Sequence, residues 1–277
     1  MTTSKDTNKN TRNVLVIAGY DPSAGAGLLR DISTINDHGL YASGVVTVLT
    51  AQNSEYIRCA FPVPPEMLRY QTETLFEDYE YAACKIGVLG NKKNAEIIAD
   101  ILDGSEMFVT LDPVFSSSSG SPLADEPLIE FIKQCMTKKA SLITPNVEEA
   151  ERLCGFRIAT QDDLEKALTY IGGLGADHVL IKGVRLEEDR FTDALFSGAA
   201  IHMFKHAYLD GKSMRGTGCT LASALTANIA LGYDVVEAAD KAIAYTQEAI
   251  QAARQIGRRN PQAHGTTYKA ARSGSNS

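Results

Sequence analysis

The sequence predicts an α/β protein in which helices cover both faces of a mostly parallel sheet. Strand-like and helix-like segments alternate over about 245 residues, the order that helical crossovers between parallel strands produce. The first apolar run, VLVIA at 14–18, is continuous, as expected for a strand buried on both faces. We therefore expect one three-layer domain over residues 13–257, between a disordered leader at 1–12 and a flexible tail at 258–277.

Glycine and proline mark the ends of the elements in the first half of the chain. The loop at 19–27 ends the first strand, and the helix at 28–38 stops at Gly39. Pro65 suits the first turn of a helix that starts near residue 64. Short apolar runs predict further strands at 45–49, 82–87 and 107–111, and a helix is expected around 95–102.

Capping residues and a short turn organise the second half. Asn146 suits the N-cap of a helix through Leu153, and Ser197-Gly198 joins two strand-like runs into a β-hairpin. The hairpin strands are expected at 192–196 and 200–204, and other strands at 140–144 and 178–182. Further helices are expected at 127–136 and 162–174, after the Gly-Thr-Gly-Cys sequence at 216–219, and at 235–256.

Composition and charge exclude several classes of function. The net charge of −7 disfavours non-specific binding to nucleic acid, which needs a basic face. Five widely spaced cysteines without a Cys-x-x-Cys pair argue against a zinc site or a disulfide framework and favour a reducing compartment. The chain has neither an apolar run of about 18 residues nor an apolar signal core at 1–12. We expect a cytoplasmic protein that binds neither nucleic acid nor membrane.

Polar and glycine-rich clusters follow the predicted strands one after another. Ligands of open α/β sheets gather outside the carboxyl ends of the strands, so these clusters are expected at one edge. They are the segment 19–27, Gln52-Asn53, Gly87, Asp112, Asn146, Lys182 and the loop before Gly216.

The segment Arg215–Cys219 is the strongest candidate for an anion site. Its two glycines stand at the start of a helix, where backbone N–H groups lack intrahelical partners and carry positive partial charge. We expect the same environment to lower the pKa of the Cys219 thiol. A glycine-rich loop with a buried structural cysteine is the alternative.

The other strand-end residues complete the requirements of phosphoryl transfer. Lys182 is placed to meet nucleotide phosphates, and Asp112, Asn146 and Glu149 carry oxygen atoms suited to Mg²⁺ held partly through water. Asn146 and Glu149 also have the spacing of a helix capping box, and Lys182 could be a solvated charge. The GxxxxGK[ST] phosphate loop is absent, and the Rossmann glycine pattern is incomplete.

Taken in order, these segments resemble the hydroxymethylpyrimidine and phosphomethylpyrimidine kinases of thiamin synthesis, within the ribokinase-like superfamily. The resemblance extends from about Asn13 to about Ile256. It rests on IAGYDPSAGAG at 17–27 with Asp31, LTAQN at 49–53, KIG at 85–87, LDPV at 111–114, LITPN at 142–146 with Glu149, IKG at 181–183 and GTGC at 216–219.

The resemblance implies a ribokinase-like fold and an ATP- and Mg²⁺-dependent kinase whose residues divide by role. The catalytic segment is Gly216, Thr217, Gly218 and Cys219, with Cys219 facing the acceptor hydroxyl. The substrate pyrimidine is expected beside Gly19, Ala26, Asp31, Gln52 and Val88. The resemblance places ATP and its phosphates at Lys182 and Asn146, and the metal at Asp112 and Glu149; the charge of Arg215, which is not part of the family pattern, adds a third expected phosphate contact.

Several positions depart from the family pattern and bear on the substrate. Arg215 stands where the family commonly has His, so it adds a charge that would bind a phosphate of the acceptor or of ATP. Tyr20 and Phe115 are bulkier than usual and are expected to reshape the acceptor pocket. Ser118, Val88 and the Val184-Arg185 pair depart as well.

Three functions remain open at this point. The first is phosphorylation of hydroxymethylpyrimidine or its monophosphate, the second is phosphorylation of pyridoxal or pyridoxine, and the third is a non-catalytic pyrimidine-binding relative. We also expect a homodimer, formed through the apolar strands and helices near Val45–Leu49.

Overall fold

The computed structural model describes residues 12–117, 120–187, 190–207, 215–254 and 256. The leader predicted at 1–12 lies outside these residues except for Arg12, whose Nη1 donates to the Ala230 carbonyl at 2.8 Å. The tail predicted at 258–277 lies wholly outside them, as does Ser118. The strands are β1 (Asn13–Tyr20), β2 (Tyr41–Gln52), β3 (Ile57–Pro62), β4 (Tyr81–Ile86), β5 (Phe108–Leu111), β6 (Leu142–Ile143), β7 (His178–Glu187), β8 (Arg190–Ser197) and β9 (Ala200–Ala207).

Helices connect these strands, and several begin at the capping residues of the sequence. Asn146 accepts a hydrogen bond from the Glu149 N–H while the Glu149 carboxylate accepts one from the Asn146 N–H, a complete capping box. The helices are α1 (Gly27–Asp37), α2 (Pro65–Phe76), α3 (Lys92–Ile101), α4 (Glu126–Gln134), α5 (Val147–Cys154), α6 (Gln161–Gly172), α7 (Thr217–Leu231) and α8 (Val235–Gln251), with a short 3₁₀ helix at Met136–Lys139.

The described strands form one sheet in the order β3-β2-β1-β4-β5-β6-β7-β8-β9. The six neighbouring strands β2, β1, β4, β5, β6 and β7 pair in parallel. Strand β3 at one end of the sheet, and β8 and β9 at the other, are antiparallel additions. The predicted hairpin is confirmed as β8 and β9. The mostly parallel sheet of the prediction is confirmed too.

Apolar clusters on the two faces of the sheet establish the three layers. Within β1, Leu15 and Ile17 belong to the core under α2–α6, whereas Val14 and Val16 belong to the opposite core under α1 and α7. A third cluster joins α7 and α8 to the β6–β8 region. The continuous apolar run at 14–18 is therefore buried on both faces, as expected.

The structure differs from the predicted elements at two points. Strand β3 was not predicted because its residues are mostly exposed at the sheet's edge, so burial imposes no apolar pattern on them. The last helix ends at Gln251 instead of 256. Within the described residues, no helix combines the length and apolar character needed to cross a membrane.

Candidate active site

The predicted strand-end residues meet in one cavity at the carboxyl edge of the sheet. This phosphate-side cavity is bordered by the segments that follow β5 and β6, by Lys182 within β7 and by the start of α7. Every residue that the sequence assigned to catalysis or metal binding lines it, together with two assigned to ATP: Asp112, Asn146, Glu149, Lys182, Gly216, Thr217, Gly218 and Cys219.

Lys182 is held at the floor of this cavity. Its N–H donates to the Pro145 carbonyl at 2.9 Å, and its Nζ forms an ion pair with Asp112. Burial alone lowers the pKa of Lys182, but Asp112 and Glu149 outweigh burial and raise it. A Cβ atom added to Gly218 would stand 3.2 Å from Lys182 Nζ, so the glycine leaves the ammonium group beside the start of α7.

A second lysine, Lys85 on β4, supports the site from inside the protein. Its side chain is completely buried, with Nζ 2.8 Å from Asp31 Oδ2 and 3.8 Å from Asp112 Oδ2. Burial lowers the pKa of Lys85, but Asp31 outweighs this effect and raises it. Burial raises the pKa of Asp112, but the two lysines outweigh burial and lower it, so this carboxylate is held ionised between them.

Glu149 is both a capping residue and a wall of the cavity. Burial raises its pKa to about 7, opposed mainly by the nearby charge of Lys182. Glu149 therefore caps α5 as its spacing predicts, and it also lines the cavity.

The turn before α7 forms the cradle that the glycines suggested. Gly216 is the N-cap of α7 with φ of 82°, and the first intrahelical bond runs from the Thr220 N–H to its carbonyl at 2.8 Å. The N–H groups of Gly218 and Cys219 belong to this first turn. A Cβ atom on Gly216 would stand 2.2 Å from the Gly25 carbonyl oxygen, so the loop at 21–26 lies directly against the cradle.

A second cavity, the acceptor cavity, adjoins the phosphate-side cavity. The predicted residues Gly19, Gln52 and Val88 line it, with Tyr20 and Tyr56 adding aromatic surface. Ser117 lines both cavities, and Arg215 in the acceptor cavity directly precedes Gly216 in the phosphate-side cavity. A hydroxyl group held in the acceptor cavity would therefore lie next to the anion cradle of the phosphate-side cavity.

Arg215 lies among the acceptor-cavity residues, apart from Lys182. Its Nη2 forms an ion pair with Asp21 Oδ2 at 3.1 Å, and its Nη1 donates to Ser23 Oγ at 3.2 Å and to the Asn53 carbonyl. Asp21 was not among the predicted site residues, although its loop was. It also accepts hydrogen bonds from the N–H groups of Ser23 at 2.8 Å and Ala26 at 3.0 Å.

Comparison with known proteins accounts for the arrangement. The family model described as phosphomethylpyrimidine kinase matches residues 21–264, most of the chain. The chain belongs to the phosphomethylpyrimidine kinase family.

Three similar proteins align with this chain over nearly their whole length. The hydroxymethylpyrimidine/phosphomethylpyrimidine kinase of Aquifex aeolicus is 40% identical over 245 residues, which cover 88% of this chain and 96% of the relative. The crystal structure of phosphomethylpyrimidine kinase from Clostridium difficile has a TM-score of 0.77 at 32% identity and covers 87% of this chain and 100% of its own. An ADP complex of Bacillus subtilis pyridoxal kinase has a TM-score of 0.85 at 27% identity, covering 94% and 100%. The ribokinase-like fold and the phosphotransferase class are thereby confirmed.

Two family positions predicted to bind substrate support the site from behind. Asp31 is fully buried, and its carboxylate oxygens bond Lys85 Nζ and the Ser223 hydroxyl at 2.8 Å each. Ala26 contributes the N–H that holds Asp21. Both residues therefore belong to the hydrogen-bonded framework of the candidate site.

Tyr20 and Phe115, the two bulky residues that depart from the family pattern, lie in different environments in the structure. Tyr20 lines the acceptor cavity as expected. Phe115 does not reshape the cavity: it is buried in the main core, and Arg152 Cζ lies 5.5 Å from its ring centroid. The expectation for Phe115 was wrong because its side chain packs into the sheet–helix interface.

The expected pKa of Cys219 was also wrong in direction. Burial raises the pKa of this thiol to about 11, and the charge of Lys85 offsets burial only in part. At neutral pH the sulfur is therefore protonated.

Lys85 is the main residue that the sequence reasoning missed. In the sequence it stands only as part of the KIG motif at 85–87, although a lysine inside an apolar strand needs a buried charge partner. The partner, Asp31, lies 54 positions away in the chain and could not be assigned without the fold.

Proposed function

We propose that the protein uses ATP to phosphorylate 4-amino-5-hydroxymethyl-2-methylpyrimidine, its monophosphate, or both, as named for its relatives. The observation that carries the proposal is the junction of the two cavities at Ser117 and Arg215-Gly216. A ring in the acceptor cavity would present its hydroxymethyl group to a phosphoryl group on the cradle. Transfer between them would be in line, without a covalent enzyme intermediate.

The phosphate-side residues supply positive charge and hydrogen-bond donors. Lys182 would meet the nucleotide phosphates, and the Asn146 amide faces the same cavity. Backbone N–H groups of the segment 216–219 would stabilise charge that develops on the transferred group. These donors are already oriented by α7, so little reorganisation is needed during transfer.

The oxygen donors of this cavity fit a magnesium ion. Asp112 and Glu149 line it together, and no group of three or more His, Cys, Asp or Glu residues suited to a metal occurs in the described residues. Two carboxylates match the preference of Mg²⁺ for keeping several waters and binding substrate phosphates. When bound, the ion would neutralise phosphate charge; Asp112 and Glu149 would hold it in place.

The acceptor cavity fits a small polar ring. The Gln52 amide both donates and accepts hydrogen bonds, as recognition of a ring nitrogen and an exocyclic amine requires. Gly19 and Val88 leave an apolar surface for the ring itself.

An acceptor panel with ATP and Mg²⁺ tests the proposal. The purified protein is assayed with the free pyrimidine, its monophosphate, pyridoxal and pyridoxine, and product is identified by mass spectrometry. We expect the highest kcat/KM with a pyrimidine acceptor. Pyrimidine binding without any product would instead indicate a non-catalytic relative.

Vitamin B6 phosphorylation is the second candidate. It is favoured by the likeness to pyridoxal kinase at a TM-score of 0.85, higher than the 0.77 of the phosphomethylpyrimidine kinase structure. The family model and the 40% identical relative favour the pyrimidine. Faster turnover of pyridoxal in the same panel would reverse this order.

A further inference from the structure

A tight turn between β2 and β3 borders the acceptor cavity. Asn53 Oδ1 accepts hydrogen bonds from the N–H groups of Glu55 at 2.8 Å and Tyr56 at 3.0 Å. The Asn53 N–H donates to the Tyr56 carbonyl at 3.1 Å. These bonds make residues 53–56 one unit, and Tyr56 at its end lines the cavity.

Arg215 connects this turn to the rest of the site. Its Nη1 donates to the carbonyl of Asn53 and to Ser23 Oγ, while Nη2 pairs with Asp21. The next residue in the chain is Gly216, the N-cap of α7. One guanidinium group therefore joins the 53–56 turn, the 21–26 loop and the phosphoryl cradle.

The charge of Arg215 is already compensated in this arrangement. The Arg215 side chain is 10% exposed, and the Asp21 side chain beside it is 3% exposed. A buried, hydrogen-bonded ion pair holds its geometry and loses much when one partner is removed. This favours a structural connection over an arginine held ready for a ligand phosphate.

Tyr56 is the part of the turn that an acceptor would touch. The residue is 51% exposed although it lines the cavity, so contacts within the protein leave much of it available. Aromatic side chains bind flat rings through stacked or edge-to-face contacts. The position of this ring depends on the turn that Arg215 holds.

We propose that Arg215 is a positioning residue that fastens the 53–56 turn, and that Tyr56 is a specificity-determining contact for a flat heteroaromatic acceptor. This inference rests on the proposed function for the site, but it applies to a pyrimidine or a pyridine ring alike. Arg215 acts through Tyr56, so the two residues share one contribution to acceptor binding.

A double-mutant cycle on the full chain tests this coupling. Acceptor Kd by calorimetry and acceptor KM are measured for Arg215→Met, Tyr56→Ala and the double variant, with the free pyrimidine and pyridoxal as probes. We expect each single variant to weaken acceptor binding about tenfold, the size of a lost ring contact. We expect the double variant to be no more than about tenfold weaker, because both changes remove the same contact. The KM for ATP should stay within about twofold.

Hydrogen exchange and two conservative variants separate positioning from general damage. Hydrogen exchange at the Glu55 and Tyr56 amides should accelerate in Arg215→Met and stay unchanged in Tyr56→Phe. Because Tyr56→Phe keeps the aromatic ring, its acceptor affinity should also stay unchanged. If Arg215→Met does not fold, Arg215→Lys replaces that variant in the cycle. Lysine keeps a positive charge for Asp21 but lacks the forked guanidinium group that reaches the Asn53 carbonyl.

Two results obtained with the variants would overturn the inference. The first is about a hundredfold loss in the double variant, which would show independent effects. The second is a loss in Arg215→Met confined to the monophosphate acceptor, which would make Arg215 a phosphate ligand. The protein could also fail to phosphorylate the pyrimidine and still show coupling between Arg215 and Tyr56 with pyridoxal. That result would uphold this inference and overturn the proposed function. Binding of neither ring would overturn both.

Discussion

At the scale of single residues, the chemistry of the site depends on which charges are buried together. Asp112 lies between Lys85 and Lys182, and Lys85 in turn pairs with Asp31. Cys219 lies close enough to this group for the charge of Lys85 to oppose the effect of burial on its thiol. A helix start favours a thiolate, but the partial burial of Cys219 has the larger effect here.

Replacement of Cys219 by alanine tests whether its sulfur takes part in transfer. The variant keeps the backbone N–H and removes the thiol. We expect kcat to fall at least about 10²-fold, the usual effect of losing a proton-transfer group. Near-normal turnover would restrict the role of Cys219 to its N–H.

The pH dependence of the wild-type protein provides the control. If the thiolate accepts the proton of the acceptor hydroxyl, kcat should rise with pH below the thiol pKa of about 11, by about tenfold per unit. Cys219→Ser should lack this rise, since serine does not ionise in that range.

At the scale of elements, the site depends on how closely α7 approaches the loop after β1. Gly216 combines a φ of 82° with a carbonyl oxygen only 2.2 Å from the place of a Cβ atom. Gly155, after α5, also has φ of 82°, but no atom lies within 4 Å of its added Cβ. Comparing substitutions at the two glycines therefore separates the effect of backbone strain from the effect of close packing.

We expect Gly216→Ala to destabilise the protein more than Gly155→Ala. Each change costs roughly 1–2 kcal/mol for a side chain in the left-handed region. Gly216→Ala adds about 1–3 kcal/mol from overpacking against Gly25 and should displace the cradle. Denaturant unfolding gives the free energies, and kcat should fall at least about tenfold for Gly216→Ala alone. Equal free energies and unchanged turnover would contradict this account.

At the scale of the whole molecule, the β3 end of the sheet carries exposed apolar surface. Leu49 on β2 and Phe61 on β3 are cross-strand partners with 49% and 66% of their surfaces exposed. Val45 and Val48, also within the segment expected to form a dimer, are buried in the monomer. A dimer contact in this region would therefore use the exposed partners and β3.

The homodimer stays a prediction, and light scattering tests it. We expect the mass of two chains at micromolar concentration, because pairing would cover an apolar patch. Phe61→Asp should reduce the mass to one chain. Tyr170→Asp, which places the same charge on exposed α6, is the matched control. A wild-type mass of one chain would refute the dimer.

The sequence by itself determined the layers of the fold and the residues at one sheet edge. Continuous apolar runs required strands buried on both faces, and capping and turn residues located most helix ends. Because parallel strands place their carboxyl ends together, Asp112, Asn146 and Lys182 could be assigned to one cavity with the cradle at 216–219. The order of these motifs along the chain also identified the family.

Only the tertiary structure decided where the charged and bulky side chains act. Lys85 finds Asp31, and Arg215 finds Asp21 across 194 positions, because distant elements bring opposite charges together in a buried space. Tyr20, at the end of β1, lines the acceptor cavity while Phe115 enters the core, although both are bulky residues near strand ends. Local sequence reports whether a residue suits burial or a turn. The direction and partner of its side chain depend on packing between elements that are remote in the chain.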